Sequence, residues 1–181
     1  ASDYVCKDLT LEPYFSLHHS RVSNYLYQAT YEQYMNSTWA QAEREVKAIE
    51  ARTIDFVDMG KQQSEAGVVT YSSNSSKGTY KDEDYRDTQA GGWMEITLTD
   101  TLQHATNLAI MLRYQADDKN RKCKIYVNGN LLKDYTVPTS VLNANANNFY
   151  NLELPLGKLA FEADGVTPCT QYVVRIGASS T

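Results

Sequence analysis

The 181-residue sequence has no long apolar run. No stretch approaches the roughly 20 apolar residues that a membrane-spanning helix needs, so we expect no membrane partner. The first residues, Ala1-Ser2-Asp3, are polar and acidic, unlike a signal peptide with its apolar centre. We therefore expect a mature protein or an excised fragment.

Clustered basic residues are also scarce. The chain has a net charge of −5, and its one dense basic group is Lys119, Arg121, Lys122 and Lys124. Nucleic-acid binding depends on neutralising phosphates with clustered Lys and Arg. We therefore expect no nucleic-acid partner, and we interpret the basic group as a solvated strand edge.

Cysteine is limited to three residues, Cys6, Cys123 and Cys169. Their positions lack the short paired spacings of a zinc site. Cys123 and Cys169 lie in or beside predicted strands, which leaves two alternatives open. They form a disulfide bond in an oxidising compartment, or they are buried free thiols.

Tyrosine is abundant where phenylalanine is not, with 14 Tyr against 4 Phe. Tyr combines a flat apolar face with a hydroxyl, which suits half-exposed β surfaces, interfaces and sugar-contacting sites. Strand propensity alone is the competing explanation.

The N-terminal part of the chain predicts one strand segment and one helix. Residues 1–29 contain an extended stretch, Leu9 to Tyr27, which would complete or flank a sandwich. Residues 30–52 predict a long amphipathic helix, starting with the capping-box spacing of Thr30 and Gln33. The predicted apolar stripe comprises Tyr31, Met35, Trp39, Ala42, Val46 and Ile49. The predicted water-facing side comprises Glu32, Asn36, Glu43, Arg44, Lys47 and Glu50, with Glu43 and Lys47 spaced as an ion pair.

The rest of the chain predicts an all-β domain. We interpret residues 53–66 as a linker and residues 67–181 as an antiparallel β-sandwich, jelly-roll-like. Predicted strands are Val68–Tyr71, Trp93–Leu98, Leu108–Gln115, Lys122–Val127, Leu131–Val137, Phe149–Leu154, Lys158–Glu162 and Gln171–Ile176. Asn128-Gly129 predicts a type I′ hairpin turn. In the third strand, Leu108 begins an alternation that indicates one dominant buried face, and residues 143–148 predict a loop.

Residues 76–92 indicate a polar surface loop that leads into the sandwich. Asp82, Glu83, Asp84 and Asp87 lie in this segment. Calcium takes six to eight oxygen ligands, often from such loops, but a solvated acidic face is the competing interpretation. We therefore expect no cofactor, with structural calcium at this loop as the alternative.

The same segment carries the candidate ligand-binding residues. Tyr80, Tyr85 and Trp93 would form a stacking platform for a sugar, and Asp84, Arg86 and Asp87 would supply hydrogen bonds. The competing interpretation places Trp93 in the core and makes Arg86 and Asp87 a structural ion pair.

No catalytic residue is expected among the three histidines. His18 and His19 are adjacent, so on a strand they point to opposite faces and cannot share a metal. His104 stands alone in a predicted turn.

Three segments together resemble the C-terminal region of bacterial β-L-arabinofuranosidase-like glycoside hydrolases of the Bacteroidetes type. The first is Leu11–Arg21, similar to a strand that closes the sandwich after the catalytic barrel. The second is Ile49–Asp55 followed by Gln62–Glu65. The third is Tyr85–Asp87 with Gly91–Trp93, similar to the family's W-R-D-A…G-W-F pattern. The chain departs from this family at His19, where Asp is usual, and at Tyr85, where Trp is frequent.

The resemblance implies a noncatalytic accessory sandwich in a periplasmic or extracellular multidomain glycoside hydrolase. In that family the cysteine nucleophile and its zinc-thiolate cluster belong to the upstream barrel, which would be the partner that this domain supports. Weak glycan contact is an addition to this role. The alternative is a dedicated carbohydrate-binding module that recognises arabinose-containing or related polysaccharide, and an independent hydrolase is a third hypothesis.

Overall fold

The computed structural model describes residues 14–16, 38–104, 107–116, 119–145 and 147–179, and this part of the chain is mainly β. Its strands are β1 (Tyr14–Ser16), β2 (Thr53–Phe56), β3 (Val69–Tyr71), β4 (Ser75–Tyr80), β5 (Glu83–Thr88), β6 (Trp93–Thr99), β7 (Ala109–Ala116), β8 (Lys122–Val127), β9 (Asn130–Thr136), β10 (Asn148–Pro155) and β11 (Gln171–Ala178). Its helices are α1 (Thr38–Arg52), α2 (Gln62–Glu65), α3 (Thr139–Asn145) and a 3₁₀ turn, Gly157–Ala160.

The strands form two sheets and a separate hairpin. Sheet one has the order β10-β7-β1-β2, sheet two has the order β3-β6-β11-β8-β9, and β4 pairs with β5. The pairs are antiparallel except at β1, which runs parallel to both β2 and β7. The antiparallel pairing predicted for residues 67–181 is confirmed for the strand pairs that the structure describes there.

The core is built from side chains that alternate along the strands. On β6, Met94, Ile96 and Leu98 are buried, and the alternate residues Trp93, Glu95 and Thr97 are half-buried. Buried residues of both sheets belong to one hydrophobic cluster. Apolar burial stabilises a fold by about 25 cal/mol per Å², so this shared cluster is the main force that holds the two sheets.

Strand β7 differs from its prediction. Leu108, just before β7, and Ile110 and Leu112 within it are buried as expected, but Ala109 and Met111 on the opposite face are buried as well. The strand lies between β10 and β1 inside sheet one. It therefore has two covered faces along this length, where the alternation had indicated one.

The hairpin predicted at Asn128-Gly129 is confirmed. These residues have φ values of +49° and +84°, the positive values that a type I′ turn requires at both positions. They connect β8 and β9, which pair from Val127 and Asn130 outward.

The predicted helix at 30–52 is described only from residue 38 onward, and residues 30–37 lie outside the described part. Within α1, Val46 is buried as the stripe predicted. Glu43 is also buried, although it was predicted to face water. Glu43 forms the predicted ion pair with Lys47, whose Nζ lies 3.4 Å from Glu43 Oε1. The charge of this buried carboxylate is therefore balanced from within α1.

Residues 53–66 are part of the fold, which corrects their interpretation as a linker. The segment contains β2 and α2. Between them, the side chains of Val57 and Met59 are buried in the core cluster. The many charged and amide side chains of this segment led to the linker prediction, although Val57 and Met59 are buried in the core.

Two boundaries near the C-terminal half also differ. Residues 158–162, predicted as a strand, lie mostly in the 3₁₀ turn Gly157–Ala160, where Gly157 has a φ of +54°. Residues 143–148, predicted as a loop, include the last turn of α3. The other seven predicted strands are present with small shifts at their ends.

Candidate functional site

The acidic segment is a β-hairpin, which corrects its prediction as a loop. Strands β4 and β5 pair from Ser75↔Thr88 to Tyr80↔Glu83. Lys81 and Asp82 make the turn, with φ values of +49° and +63°. Because neither strand carries an apolar alternation, the hydrophobic pattern gave no strand signal.

The acids of the hairpin have separate partners. Thr79 Oγ1 donates to Asp84 Oδ1 at 2.7 Å, and Ser76 Oγ donates to Asp87 Oδ1 at 2.7 Å. Glu83 and Asp87 lie on one face of β5 and Asp84 on the other, since side chains alternate along a strand. Within the described residues, no group of three or more His, Cys, Asp or Glu side chains is placed to hold a metal ion.

Arg86 of the hairpin forms a buried ion pair with Glu65 of α2. Arg86 Nε and Nη2 donate to Glu65 Oε1 and Oε2 at 2.9 and 2.8 Å. The competing interpretation of the sequence had paired Arg86 with Asp87, and the carboxylate that binds Arg86 is that of Glu65 instead. On its other side the guanidinium lies 3.9 Å from the ring centroid of Tyr71, a favourable cation–π geometry.

The environment of Glu65 keeps it ionised. Burial alone raises the pKa of this carboxyl, but hydrogen bonds from Arg86 and from the Gly60 backbone N–H outweigh burial and lower the pKa. The Gly60 nitrogen lies 2.7 Å from Glu65 Oε1. The hydrogen bond to Glu65 in turn raises the pKa of Arg86.

Tyr85 is held between two glycines. Gly60 has a φ of +88°, and a Cβ there would lie 2.5 Å from the Tyr85 carbonyl oxygen. A Cβ at Gly78 would lie 2.6 Å from Tyr85 Oη. At Gly60 the positive φ and the contact with the Tyr85 backbone require glycine, and this contact holds the hairpin against the segment before α2. A side chain at Gly78 would instead have to displace the outer end of the Tyr85 ring.

A cleft of about 460 Å³ lies between β5 of the hairpin and strands of both sheets. Its lining comes from β5, β6, β7, β8, β10, β11 and the residues that adjoin them. The lining residues are Tyr85, Arg86, Asp87, Thr88, Gln89, Ala90, Met94, Arg113, Tyr114, Gln115, Arg121, Lys122, Cys123, Phe149, Ile176, Ala178 and Ser179. A smaller apolar pocket of about 100 Å³ adjoins it and reaches Met59, Ile96 and Leu112 of the core.

Three aromatic rings, Tyr85, Tyr114 and Phe149, line the cleft and are half-buried. Behind them, the ring of Tyr114 lies 5.8 Å from that of Tyr150. Tyr150 Oη lies 2.8 Å from Tyr135 Oη. Burial, and then this hydrogen bond, raise the pKa of Tyr150, so the phenol stays neutral and supports the wall by packing.

A second bidentate pair ties the hairpin to sheet one. Arg113 Nε and Nη2 donate to Glu83 Oε2 and Oε1 at 2.7 and 2.6 Å. Arg113 Nη1 donates to Asn151 Oδ1 at 3.1 Å. Glu65 and Glu83 thus anchor Arg86 and Arg113 from outside the cleft lining, which fixes the positions of these two guanidinium groups.

The predicted binding residues divide into two groups. Tyr85, Arg86 and Asp87 line the cleft, whereas Tyr80, Asp84 and Trp93 do not. Tyr80 packs beside the cleft, with its ring 6.3 Å from that of Phe149. Most of the lining residues that sequence reasoning missed come from β6, β7, β8, β10 and β11, which are distant along the chain, and no short motif connects them.

Trp93 lies on the outer face of sheet two, which corrects its alternative placement in the core. It alternates with the buried Met94 and lies under Arg175, whose guanidinium is 4.3 Å from the indole centroid. Arg175 Nη1 also lies 2.7 Å from Glu95 Oε1. Tyr126 of β8 is paired directly with Arg175 of β11. On this face Arg175 therefore has the ring of Trp93 on one side and the ring of Tyr126 on the other.

The basic group also differs from its interpretation as a strand edge. Strand β8 lies inside sheet two, between β11 and β9. Arg121 and Lys122 are exposed and line the cleft, whereas Lys124 is exposed outside it.

Cys123 and Cys169 are buried free thiols, the second of the two alternatives, and Cys6 lies outside the described residues. Burial raises the pKa of Cys123 to about 11, which keeps this thiol protonated at neutral pH.

His104 has a structural partner, since its Nδ1 lies 2.7 Å from Oδ1 of the buried Asp100. The His104 backbone N–H donates to Asp100 Oδ2 at 2.8 Å. These contacts fix the turn after β6. His18 and His19 lie outside the described residues.

Comparison with known proteins gives one family. Residues 48–167, more than half of the chain, match DUF6805, a family of unknown function. No curated protein matches the chain. Across the described residues, none of the helices has the length and apolar character needed to cross a membrane.

Proposed function

We propose that this chain, which belongs to the DUF6805 family, is a noncatalytic accessory domain of a multidomain glycoside hydrolase. The parent enzyme is of the β-L-arabinofuranosidase-like kind and is periplasmic or extracellular. The domain supports the upstream catalytic barrel and contacts glycan through the cleft beside the β4–β5 hairpin.

Its architecture in this proposal is a β-sandwich of the jelly-roll-like kind. The support is the hydrophobic cluster shared by both sheets, with Ile96 and Val174 of sheet two and Ile110 and Leu154 of sheet one. Two sheets that bury one common core are the layer arrangement of a sandwich.

The observation that carries the glycan contact is the composition of the cleft. Sugar-binding sites combine rings for the apolar faces of the sugar with side chains that hydrogen-bond its hydroxyls. The rings of Tyr85, Tyr114 and Phe149 supply the first part, and Gln89 and Gln115 supply the second.

The noncatalytic role is supported by the state of the carboxylates around the cleft. A glycosidase needs one carboxylic acid with a raised pKa to protonate the leaving group. The buried pairing with Arg86 lowers the pKa of Glu65. Glu83 is likewise bound by Arg113 through both oxygens. Glu65 and Glu83 therefore hold arginine side chains in place, which suits a structural role and does not suit a proton donor.

Binding and catalysis are tested on the same preparation. We expect retention of the chain by soluble arabinan or arabinoxylan in affinity electrophoresis, and no hydrolysis of aryl arabinosides. Gln115→Ala and Phe149→Ala should abolish retention, because both residues line the cleft. Trp93→Ala is the matched control outside the cleft and should keep it. Turnover of an aryl arabinoside by the chain alone would overturn the noncatalytic proposal.

A dedicated carbohydrate-binding module is the second candidate, and the outer face of sheet two favours it. Trp93, Arg175 and Tyr126 form an aromatic and cationic surface there, and such surfaces stack against sugar rings. In this case the variants reverse their effects. Trp93→Ala abolishes retention, and Gln115→Ala leaves it intact.

The partnership with the barrel needs its own test. The upstream part of the parent protein, expressed separately, should co-elute with this chain as a one-to-one complex in gel filtration. Separate elution of the two at micromolar concentration would contradict the supporting role and would leave glycan contact to be judged by the retention assay.

A further inference from the structure

We infer that the small apolar pocket beside the cleft binds an aromatic acyl group carried on a sugar hydroxyl of the glycan. This inference rests on the proposed glycan contact and specifies the class of glycan, a neutral one esterified with a ring. The structural basis is the size of the pocket, the pairing of its charges and the side chains that line it.

The pocket has the size and the position for one ring. Its volume is about 100 Å³, and it shares Tyr85, Tyr114 and Phe149 with the lining of the cleft. From these rings it reaches Ile96 and Leu112 of the core. An apolar cavity of about 150 Å³ holds a benzene ring. A ring that enters this smaller pocket from the cleft therefore fits with its outer edge, and its link to the sugar, still in the cleft.

The charges of the pocket are paired. Arg86 and Arg113 are the charged members of its lining. Glu65 binds the first and Glu83 the second, each through both carboxylate oxygens. Apolar and aromatic side chains form the rest of the lining. A polar group buried among them without a hydrogen-bond partner costs free energy, so the pocket favours a neutral apolar group over an ion or a sugar hydroxyl.

Two kinds of side chain in the pocket favour a ring over an aliphatic group. Met59 and Met94 are in the lining. A methionine side chain adapts its shape, and its sulfur makes favourable contacts with aromatic rings. Tyr114 and Phe149 add edge-to-face or offset stacked contacts with a further ring. An acetyl group would gain apolar burial alone.

Calorimetric titration of the chain with four ligands tests this assignment. The ligands are an arabino-oligosaccharide, the same sugar with an acetyl ester on its terminal primary hydroxyl, the same sugar with a benzoyl ester there, and benzyl alcohol. We expect the benzoyl ester to bind about tenfold more tightly than the unesterified sugar, because its ring leaves water. The acetyl ester should gain less, since it buries less apolar area. Benzyl alcohol should bind more weakly than the benzoyl ester, because it lacks the sugar.

Methionine methyl signals locate the ring. In a chain with isotope-labelled methionine methyl groups, the benzoyl ester should shift the NMR signals of Met59 and Met94, because the ring current of an aromatic group acts on nearby nuclei. Met111 is the internal control, since it is buried on β7 and lines neither the pocket nor the cleft. Its signal should stay in place.

A pair of variants tests the pocket independently. Met59→Phe puts a bulkier side chain into the pocket and should remove most of the gain of the benzoyl ester. The affinity for the unesterified sugar should not change, since Met59 lies outside the cleft lining. Val57→Leu is the matched control, an enlarged side chain of the same segment in the core but outside the pocket. It should keep the gain, and thermal unfolding checks that both variants are folded.

Each contrary outcome has its own meaning. Equal binding of the benzoyl ester and the unesterified sugar overturns the inference and leaves the proposed glycan contact standing. Equal binding of the benzoyl and acetyl esters overturns the preference for a ring. Equal binding of the benzoyl ester and benzyl alcohol shows that the sugar makes no contact, and binding of none of the four ligands shows that the cleft is no site; either result overturns the glycan contact together with the inference. A larger shift at Met111 than at Met59 and Met94 places the ring elsewhere and overturns the inference.

Discussion

Arg86 and Glu65 form a bidentate ion pair, with side chains only 5% and 7% exposed, that joins the β4–β5 hairpin to α2. The pair holds one wall of the cleft in place, since Arg86 itself lines it. The stability of the hairpin and the shape of the candidate site therefore depend on the same contact.

Removing one partner of this pair should be strongly destabilising. We expect Arg86→Gln to lower the free energy of unfolding by roughly 3–5 kcal/mol, because it leaves a buried carboxylate without its cation. Urea unfolding measures this. The control is Arg175→Gln, whose pair with Glu95 has side chains 42% and 31% exposed and should contribute less than about 1 kcal/mol. Similar losses in the two variants would contradict the structural role of Arg86.

The same pair predicts a dependence of stability on pH. The pKa of Glu65 in the folded chain lies below its ordinary value of 4.5. A depressed carboxyl pKa stabilises the fold above the unfolded value, and this stabilisation is lost as the pH falls through the folded value. Urea unfolding from about pH 7 to about pH 3 should show the loss below about pH 4.5. In Glu65→Gln this part of the pH dependence should disappear. If the free energy of unfolding varied with pH in the same way in both proteins, the stabilising role of the ionised Glu65 would be contradicted.

Gly60 should be far less tolerant of substitution than Gly67. Both have positive φ values, +88° and +77°, and they flank α2. An added methyl at Gly67 meets nothing within 4 Å, whereas at Gly60 it meets the Tyr85 backbone. We expect Gly67→Ala to cost about 1–2 kcal/mol through its backbone conformation, and Gly60→Ala to cost clearly more. Equal decreases in the unfolding temperature of the two variants would show that the Tyr85 backbone can move away from a methyl group at position 60 at no cost in stability.

The two buried thiols should be unreactive until the chain unfolds. In a Cys6→Ser background, we expect an aromatic disulfide reagent to detect no fast-reacting thiol in the native protein. Two thiols should react after denaturation, because Cys123 and Cys169 are both free and buried. The high pKa of Cys123, about 11, adds to this protection. Absence of thiols after denaturation without reductant would indicate a disulfide bond.

Local patterns predicted the strands of the two sheets well. The alternation in β6 and the Asn128-Gly129 turn each express a rule that acts within a few residues. Strand β8 was predicted with the bounds that the structure has. The β4–β5 hairpin was missed because polar side chains fill both strands and its turn, Lys81-Asp82, contains no glycine and so lacks the Asn-Gly or Asp-Gly signature of such turns.

The candidate site was predicted only along one segment. Tyr85, Arg86 and Asp87 are adjacent in sequence and do line the cleft. The partner of Arg86 is 21 residues away, on a short helix inside the predicted linker. Tyr114 and Phe149 belong to β7 and β10, which are distant from the hairpin in sequence and come close to it only in the folded chain. Pairings of this kind depend on sheet topology, and no local spacing encodes them.

Glycan contact at the cleft is tested most directly by NMR titration of the isotope-labelled chain with a soluble arabinan oligosaccharide. We predict that amide shifts concentrate on residues of the cleft, including Tyr85, Gln115 and Phe149, with little change around Trp93. Shifts that concentrate on Trp93 and Tyr126, or no shifts at saturating oligosaccharide, would contradict it.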